Sequence, residues 1–184
     1  GLDQFLEERP EDQPFCFWFG ASDPHRSYIW ESGLRSGMKL EDVEVPPFYP
    51  DSKIIRTDIL DYYWEVQRFD RQVGEALALL ESKGELENTI VVMTGDHGWP
   101  FPRGKSNLYD YGAHVPLAIK WHDAIPEDRV VTDFVSTTDL APTFLEAAGV
   151  SQLPGTTGRS LLTLLTSNTE GRIEAERDHV LTGK

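Results

Sequence analysis

The chain has 184 residues, enough for one domain with a real core, and 39% of them are apolar, the share of an ordinary globular protein. Lys and Arg number 17 against 31 Asp and Glu, a net charge of −14, which argues against a general nucleic-acid surface or an anionic membrane as partner. An anionic ligand would need a local basic pocket.

Residues 1 to 13 are polar and acidic and lead into Pro14, so they read as a helix end and a connector. They contain no Met, no basic n-region and no long apolar h-region, and no run in the chain reaches membrane-spanning length. Either the protein is not targeted or its front is missing. An aromatic run from Phe15 to Ala21 predicts the first strand, stopped by Ser22-Asp23-Pro24, with His25 in the following loop. Cys16, the only cysteine, lies in that run, so no intramolecular disulfide can form and a buried thiol is expected.

From Arg26 to Ser52 no period is sustained, and Val45-Pro46-Pro47-Phe48-Tyr49-Pro50 is forced towards extended backbone, so a long surface or active-site loop is expected. Ile59, Leu60, Tyr63, Val66, Phe69, Val73, Leu77 and Leu80 then recur at spacings of three and four, predicting a helix over Thr57 to Lys83 that Gly84 ends. Ile90 to Met93 reads as a strand buried on both faces that opens into Thr94-Gly95-Asp96-His97-Gly98. After Pro100, Pro102 and Arg103-Gly104-Lys105 comes a second apolar run, Val115 to Ile119. Val130 to Val135 reads as a short strand, and Asp139 to Ala148 as a helix ended by Gly149 and capped by Thr137 or Thr138. A short helix is expected at Leu161 to Leu165, and a strand could begin at Val180-Leu181. Alternating strands and helices predict an α/β domain with a mostly parallel sheet flanked by helices. The strands are too few for a sheet covered on both faces, so the domain reads as incomplete.

Ligand sites of α/β sheets lie at strand ends. The carboxylate of Asp96 and the imidazole of His97 suit a divalent metal, the imidazole favouring Mn²⁺ or Zn²⁺ more than an all-oxygen set would. The same pair also fits an Asp capping a loop beside a solvated His. Lys105, behind Gly104, could hold a sulfate or phosphate oxygen as a point charge, or be a plain surface lysine. His25 could donate to an ester oxygen or act as general acid, or simply bond to backbone. Arg103 and His114 are further candidate anion contacts.

Phe17-Trp18-Phe19-Gly20 with Asp23-Pro24-His25, Asn88 to Gly98, Gly104-Lys105, Leu108-Tyr109-Asp110, Val115-Pro116-Leu117 and Thr138 to Thr143 together resemble the sulfatase family of the alkaline-phosphatase superfamily. Asp23-Pro24-His25-Arg26, Pro100-Phe101-Pro102 and Asn107-Leu108-Tyr109 resemble its heparan N-sulfatase (sulfamidase) branch. That branch more often has Asn and Arg where this chain has His97 and Lys105. The resemblance implies hydrolysis of a sulfate ester or sulfamate on a sulfated carbohydrate or small sulfate ester. It implies a metal, Ca²⁺ above Mn²⁺ or Zn²⁺, held by Asp96 and His97, and makes His25 and Lys105 catalytic contacts to sulfate, with Arg103 beside them in substrate binding. A periplasmic, secreted or lysosomal location is implied as well.

Members of this family use a formylglycine nucleophile made from Cys or Ser in Cys/Ser-x-Pro-Ser-Arg. Cys16 is followed by Phe17-Trp18, and Ser22-Asp23-Pro24-His25-Arg26 has His where Ser is expected, so neither fits. The 184 residues therefore read as a single partial catalytic domain whose nucleophile lies upstream, weak in metal binding and inactive alone. The rest of the catalytic domain, or a second copy, would be its partner. A phosphodiesterase or phosphonate hydrolase of the same superfamily, and a non-catalytic binding remnant, are the alternatives.

Overall fold

The computed structural model describes residues 1–10 and 13–183, so positions 11 and 12 of the expected connector lie outside the described residues. The chain divides into two compact units, Gly1–Gly84 and Glu85–Lys184.

The first unit is built on one long helix. Helix α1 (Leu2–Glu8) buries Leu6 and sets Phe5 against Phe15 and Phe17, at ring separations of 5.9 and 5.0 Å. Helix α2 (Ser32–Arg35) and a 3₁₀ turn (Leu40–Asp42) interrupt the expected long loop. Helix α3 (Lys53–Ser82) starts one turn earlier than the apolar spacing predicts, because Ser52 caps it by accepting from the Ile55 amide. Gly84, at φ +70°, ends it as expected.

The inner face of α3 is as polar as it is apolar. Ile59, Leu60 and Leu80 are buried, but so are Thr57, Asp61 and Glu65, whereas Val66 of the apolar stripe is exposed. Asp61 is satisfied by the α2 entry, accepting from the amides of Glu31 and Gly33, each at 2.9 Å, and from the Ser32 hydroxyl. A Cβ on Gly33 would stand 2.5 Å from the Leu60 carbonyl oxygen, so the close approach requires glycine. Arg56 ties the preceding loop down with a two-pronged bond to Asp51 and bonds to the carbonyls of Leu40 and Val43.

Residues 15–21 do not form the expected strand. Their aromatic density favours extended backbone, but a strand also needs a neighbour to accept its hydrogen bonds, and none pairs with it among the described residues. Trp18 and Phe19 stand exposed, and so does Cys16, against the expected burial of its thiol.

In the second unit, β1 (Val91–Thr94) pairs with β2 (Leu117–Lys120), from Val91 opposite Lys120 to Thr94 opposite Leu117. The ladder is antiparallel, which corrects the expected parallel pairing. An apolar run reveals a strand but not its direction, and the connection carries no crossover helix beyond the four residues of α4 (Asp110–Ala113). The expected burial of β1 on both faces is also corrected, since its four residues are half-buried. The run from Val130 to Val135 contributes a single parallel bridge, Val131 to Gly171, and no strand begins at Val180.

A 3₁₀ turn (Thr137–Asp139) leads into helix α5 (Leu140–Ala147), and Ser136, one residue before the expected caps, makes a reciprocal capping box with Asp139. Helix α6 (Leu162–Thr166) lies close to the expected short helix. Arg129 donates to the carbonyls of Leu164, Leu165 and Thr169, placing a cation at the α6 C-terminus. Among the described residues no helix is long and apolar enough to cross a membrane.

Candidate active site

The loop that opens at the end of β1 is built by close backbone packing. The Thr94 hydroxyl donates to the Pro116 carbonyl at 2.8 Å, joining the strand end to the entry of β2. The amides of Gly98 and Trp99 then donate to the carbonyls of Gly112 and Tyr111, each at 3.0 Å, and the Lys105 amide donates to the Trp99 carbonyl at 2.9 Å. A Cβ on Gly98 would meet the Tyr111 oxygen at 1.9 Å, on Gly104 the Trp99 oxygen at 2.2 Å, and on Gly112 the Asn107 oxygen at 2.3 Å. No side chain fits at any of these crossings. Trp99 stacks on Tyr111 with ring centroids 5.0 Å apart and meets Phe101 at 4.7 Å, closing the loop with an aromatic centre.

His97 Nδ1 lies 2.6 Å from the Gly98 carbonyl oxygen, which can only accept, so Nδ1 carries the proton. In the neutral ring Nε2 then holds a lone pair, and it faces Asp96 Oδ1 at 3.6 Å. The Asp96 side chain is 92% exposed and that of His97 29%. Two electron-pair donors turned towards one another fit two adjacent ligands of a cation. Among the described residues no group of three or more His, Cys, Asp or Glu gathers for a metal.

Lys105 is exposed, and the backbone on either side is left-handed at non-glycine residues, φ +67° at Arg103 and +66° at Ser106. The tight turn holds the lysine outward. The Arg103 guanidinium lies 5.8 Å from the centre of the exposed Tyr109 ring. His114 is exposed at the end of α4, its amide bonded to the Asp110 carbonyl.

The second unit therefore brings Asp96 and His97 into one donor pair, and holds Lys105, Arg103 and Tyr109 in the same knotted loop. His25 belongs to the first unit. Its ring is exposed, its amide donates to the Ser22 carbonyl at 2.8 Å, and its Nδ1 donates to the Arg26 carbonyl, leaving Nε2 outward. Arg26 is paired with Asp58 at 2.6 Å and lies over Tyr28, the Asp58 bond raising its pKa above the usual guanidinium value. Burial foremost pushes the Tyr28 phenol up, and its hydroxyl donates to the Pro24 carbonyl. The Arg26 to Asp58 pair was missed by sequence reasoning because its two residues lie 32 positions apart, the second of them on α3.

An apolar strand that opens into a knotted loop carrying an oxygen and nitrogen donor pair puts the candidate site at a strand end, where ligand sites of α/β proteins lie. The sulfatase family model matches residues 1–150, and the chain belongs to the sulfatase family. An ulvan-active sulfatase of Formosa agariphila is 29% identical over 177 residues, covering 77% of this chain and 30% of that protein. The N-sulphoglucosamine sulphohydrolase of Homo sapiens is 32% identical over 197 residues, covering 88% of this chain and 38% of that protein. The solved structure of BT4656, in complex with its substrate D-glucosamine-2-N,6-O-disulfate, aligns with a TM-score of 0.57 at 28% identity over 78% of this chain and 28% of that one. The chain thus spans between 30% and 38% of the length of these two curated relatives.

Proposed function

We propose that the protein to which these residues belong hydrolyses the sulfate ester or sulfamate of a sulfated amino sugar. The observation that carries the reading is the Asp96 and His97 donor pair at the end of β1, in a chain of the sulfatase family. Relatives named for N-sulphoglucosamine and for N-acetylglucosamine-6-O-sulfate, and a solved relative bound to a disulfated glucosamine, support the sugar class. A relative named as an extracellular sulfatase supports a location outside the cytosol.

Asp96 Oδ1 and His97 Nε2 would hold a divalent cation, Ca²⁺ in the first place, with the remaining ligands contributed from outside these residues. When present, the cation would offset the sulfate charge, and a formylglycine supplied from outside this chain would provide the attacking oxygen. Lys105, held outward by its turn, would bind a sulfate oxygen as a compact point charge, and Arg103 would add a second cationic contact. His25, with Nδ1 committed to the Arg26 carbonyl, can present only Nε2. As the imidazolium it would give that proton to the departing sugar oxygen or nitrogen.

The full-length protein should release inorganic sulfate from glucosamine N-sulfate or glucosamine 6-O-sulfate, with Ca²⁺ added and with EDTA as control. Asp96→Asn and Lys105→Ala should each lower that release by on the order of a hundredfold. Hydrolysis of phosphodiesters to phosphomonoesters with no sulfate released would overturn the reading.

A further inference from the structure

Asp23, two residues before His25, turns a nearly buried carboxylate onto α3, its side chain 10% exposed. Arg68 reaches it with Nη2 at 3.4 Å from Oδ2, and its Nη1 donates to Glu65 Oε2 at 3.0 Å. Gln72 Nε2 donates to the same Asp23 oxygen at 3.2 Å. Residues 65, 68 and 72 lie on one stripe of the helix. Two largely buried carboxylates therefore converge on one guanidinium, with the Glu65 side chain 8% exposed.

Such an arrangement is a poor choice for stability alone. Burying a carboxylate is unfavourable unless it is fully paired, and an apolar side chain at position 65 would cover the helix better. What the cluster does is grip the loop. Asp23 is held on one side of His25, and Arg26 is held on the other by Asp58. The Arg26 carbonyl in turn accepts from His25 Nδ1 and so sets the ring.

We propose that Glu65 is a positioning residue for His25, acting through Arg68 and Asp23 to clasp the loop against α3 and fix which nitrogen the imidazole presents. The inference rests on the reading that His25 donates to the leaving group. Its pH response follows from the surplus carboxylate. Burial first, and then the hydrogen bond to Asp23, hold the Glu65 carboxyl above its usual range. Besides Glu65 and Arg68, the charged and titratable groups facing the clasp are Asp58 and Tyr62 from α3, and Arg26 and Tyr28 from the loop.

The test uses the full-length protein and two readouts. Long-range ¹H–¹⁵N spectra report the His25 tautomer without substrate, and sulfate release from glucosamine N-sulfate is followed against pH. Glu65→Leu should perturb the His25 ring signals and lower kcat by roughly ten- to a hundredfold with little change in KM. Glu65→Gln, whose amide can donate to Asp23 at every pH, should restore both and flatten the pH dependence of the ring signals. Gln72→Met, which removes one donor to Asp23 and leaves both acids in place, should move the signals the same way by less. Unchanged His25 signals in both Glu65→Leu and Gln72→Met, or in Gln72→Met alone if Glu65→Leu does not fold, would overturn the proposal. Wild-type protein that releases no sulfate while its His25 signals still follow Glu65 would instead overturn the sulfatase role of His25 and leave the clasp standing.

Discussion

Arg177 and Asp139 form a buried ion pair at 3.0 Å, with side chains 2% and 9% exposed, although 38 residues separate them in the chain. The pair is fully hydrogen-bonded. Arg177 also donates to Glu174 and to the carbonyls of Arg159 and Ser160, and Asp139 accepts from the amides of Ser136 and Arg159. Replacing Arg177 by Met would leave the Asp139 charge buried without its cation. The expected loss is about 3–5 kcal/mol of stability, read from urea unfolding followed by circular dichroism. A midpoint within error of wild type would show that the pair holds nothing.

Two glycines should respond in opposite directions to the same change. Gly98→Ala places a methyl group against the Tyr111 oxygen at 1.9 Å and should destabilise the second unit by about 3 kcal/mol or more. Gly74→Ala lies on the exposed face of α3, where a Cβ meets nothing within 4 Å, and should stabilise by roughly 0.5–1 kcal/mol. Paired thermal unfolding curves check both. Equal tolerance at the two positions would contradict the tight crossing at Gly98.

The donor pair predicts a metal dependence specific to the side chains. Calcium affinity of the full-length protein, measured by calorimetry, should fall by roughly ten- to a hundredfold in His97→Ala, and further in Asp96→Asn. Calcium binding that survives both changes would place the metal elsewhere.

Glu65 gives a signed pH effect. Its carboxyl is held above its usual range in the folded chain by burial and by the hydrogen bond to Asp23. Its stabilising contribution is therefore present below the ordinary carboxylate range and is lost as the pH rises through its raised value. Wild-type stability should decline relative to Glu65→Gln across that interval. Parallel pH profiles of the two proteins would show that the carboxyl does not titrate differently on folding.

What could be read from the sequence depends on how far apart the interacting residues stand. Helix α3 was legible because its apolar residues recur at the helical period, and β1 because four apolar residues run into a polar cluster. The Asp96 and His97 pair was legible because the two are neighbours. Direction was not, since antiparallel β2 returns after a 22-residue connection whose path is set by the glycine crossings. The strand expected at residues 15–21 failed for a related reason, because hydrogen-bonding partners are supplied by another segment. Long-range fastenings such as Asp23 with Arg68, or Arg177 with Asp139, leave no periodic trace in either segment.

The three glycine crossings have a consequence for how this loop can diversify. With Gly98, Gly104 and Gly112 each pressed against a neighbouring carbonyl, one residue added or deleted between Gly98 and Tyr111 would break at least one of the crossings. Length variation is closed to it. New specificity must come by exchanging side chains at outward positions such as Arg103, Lys105, Leu108 and Tyr109 while the path beneath them stays the same. A mutational library aimed at this loop should keep its length fixed and randomise those four positions.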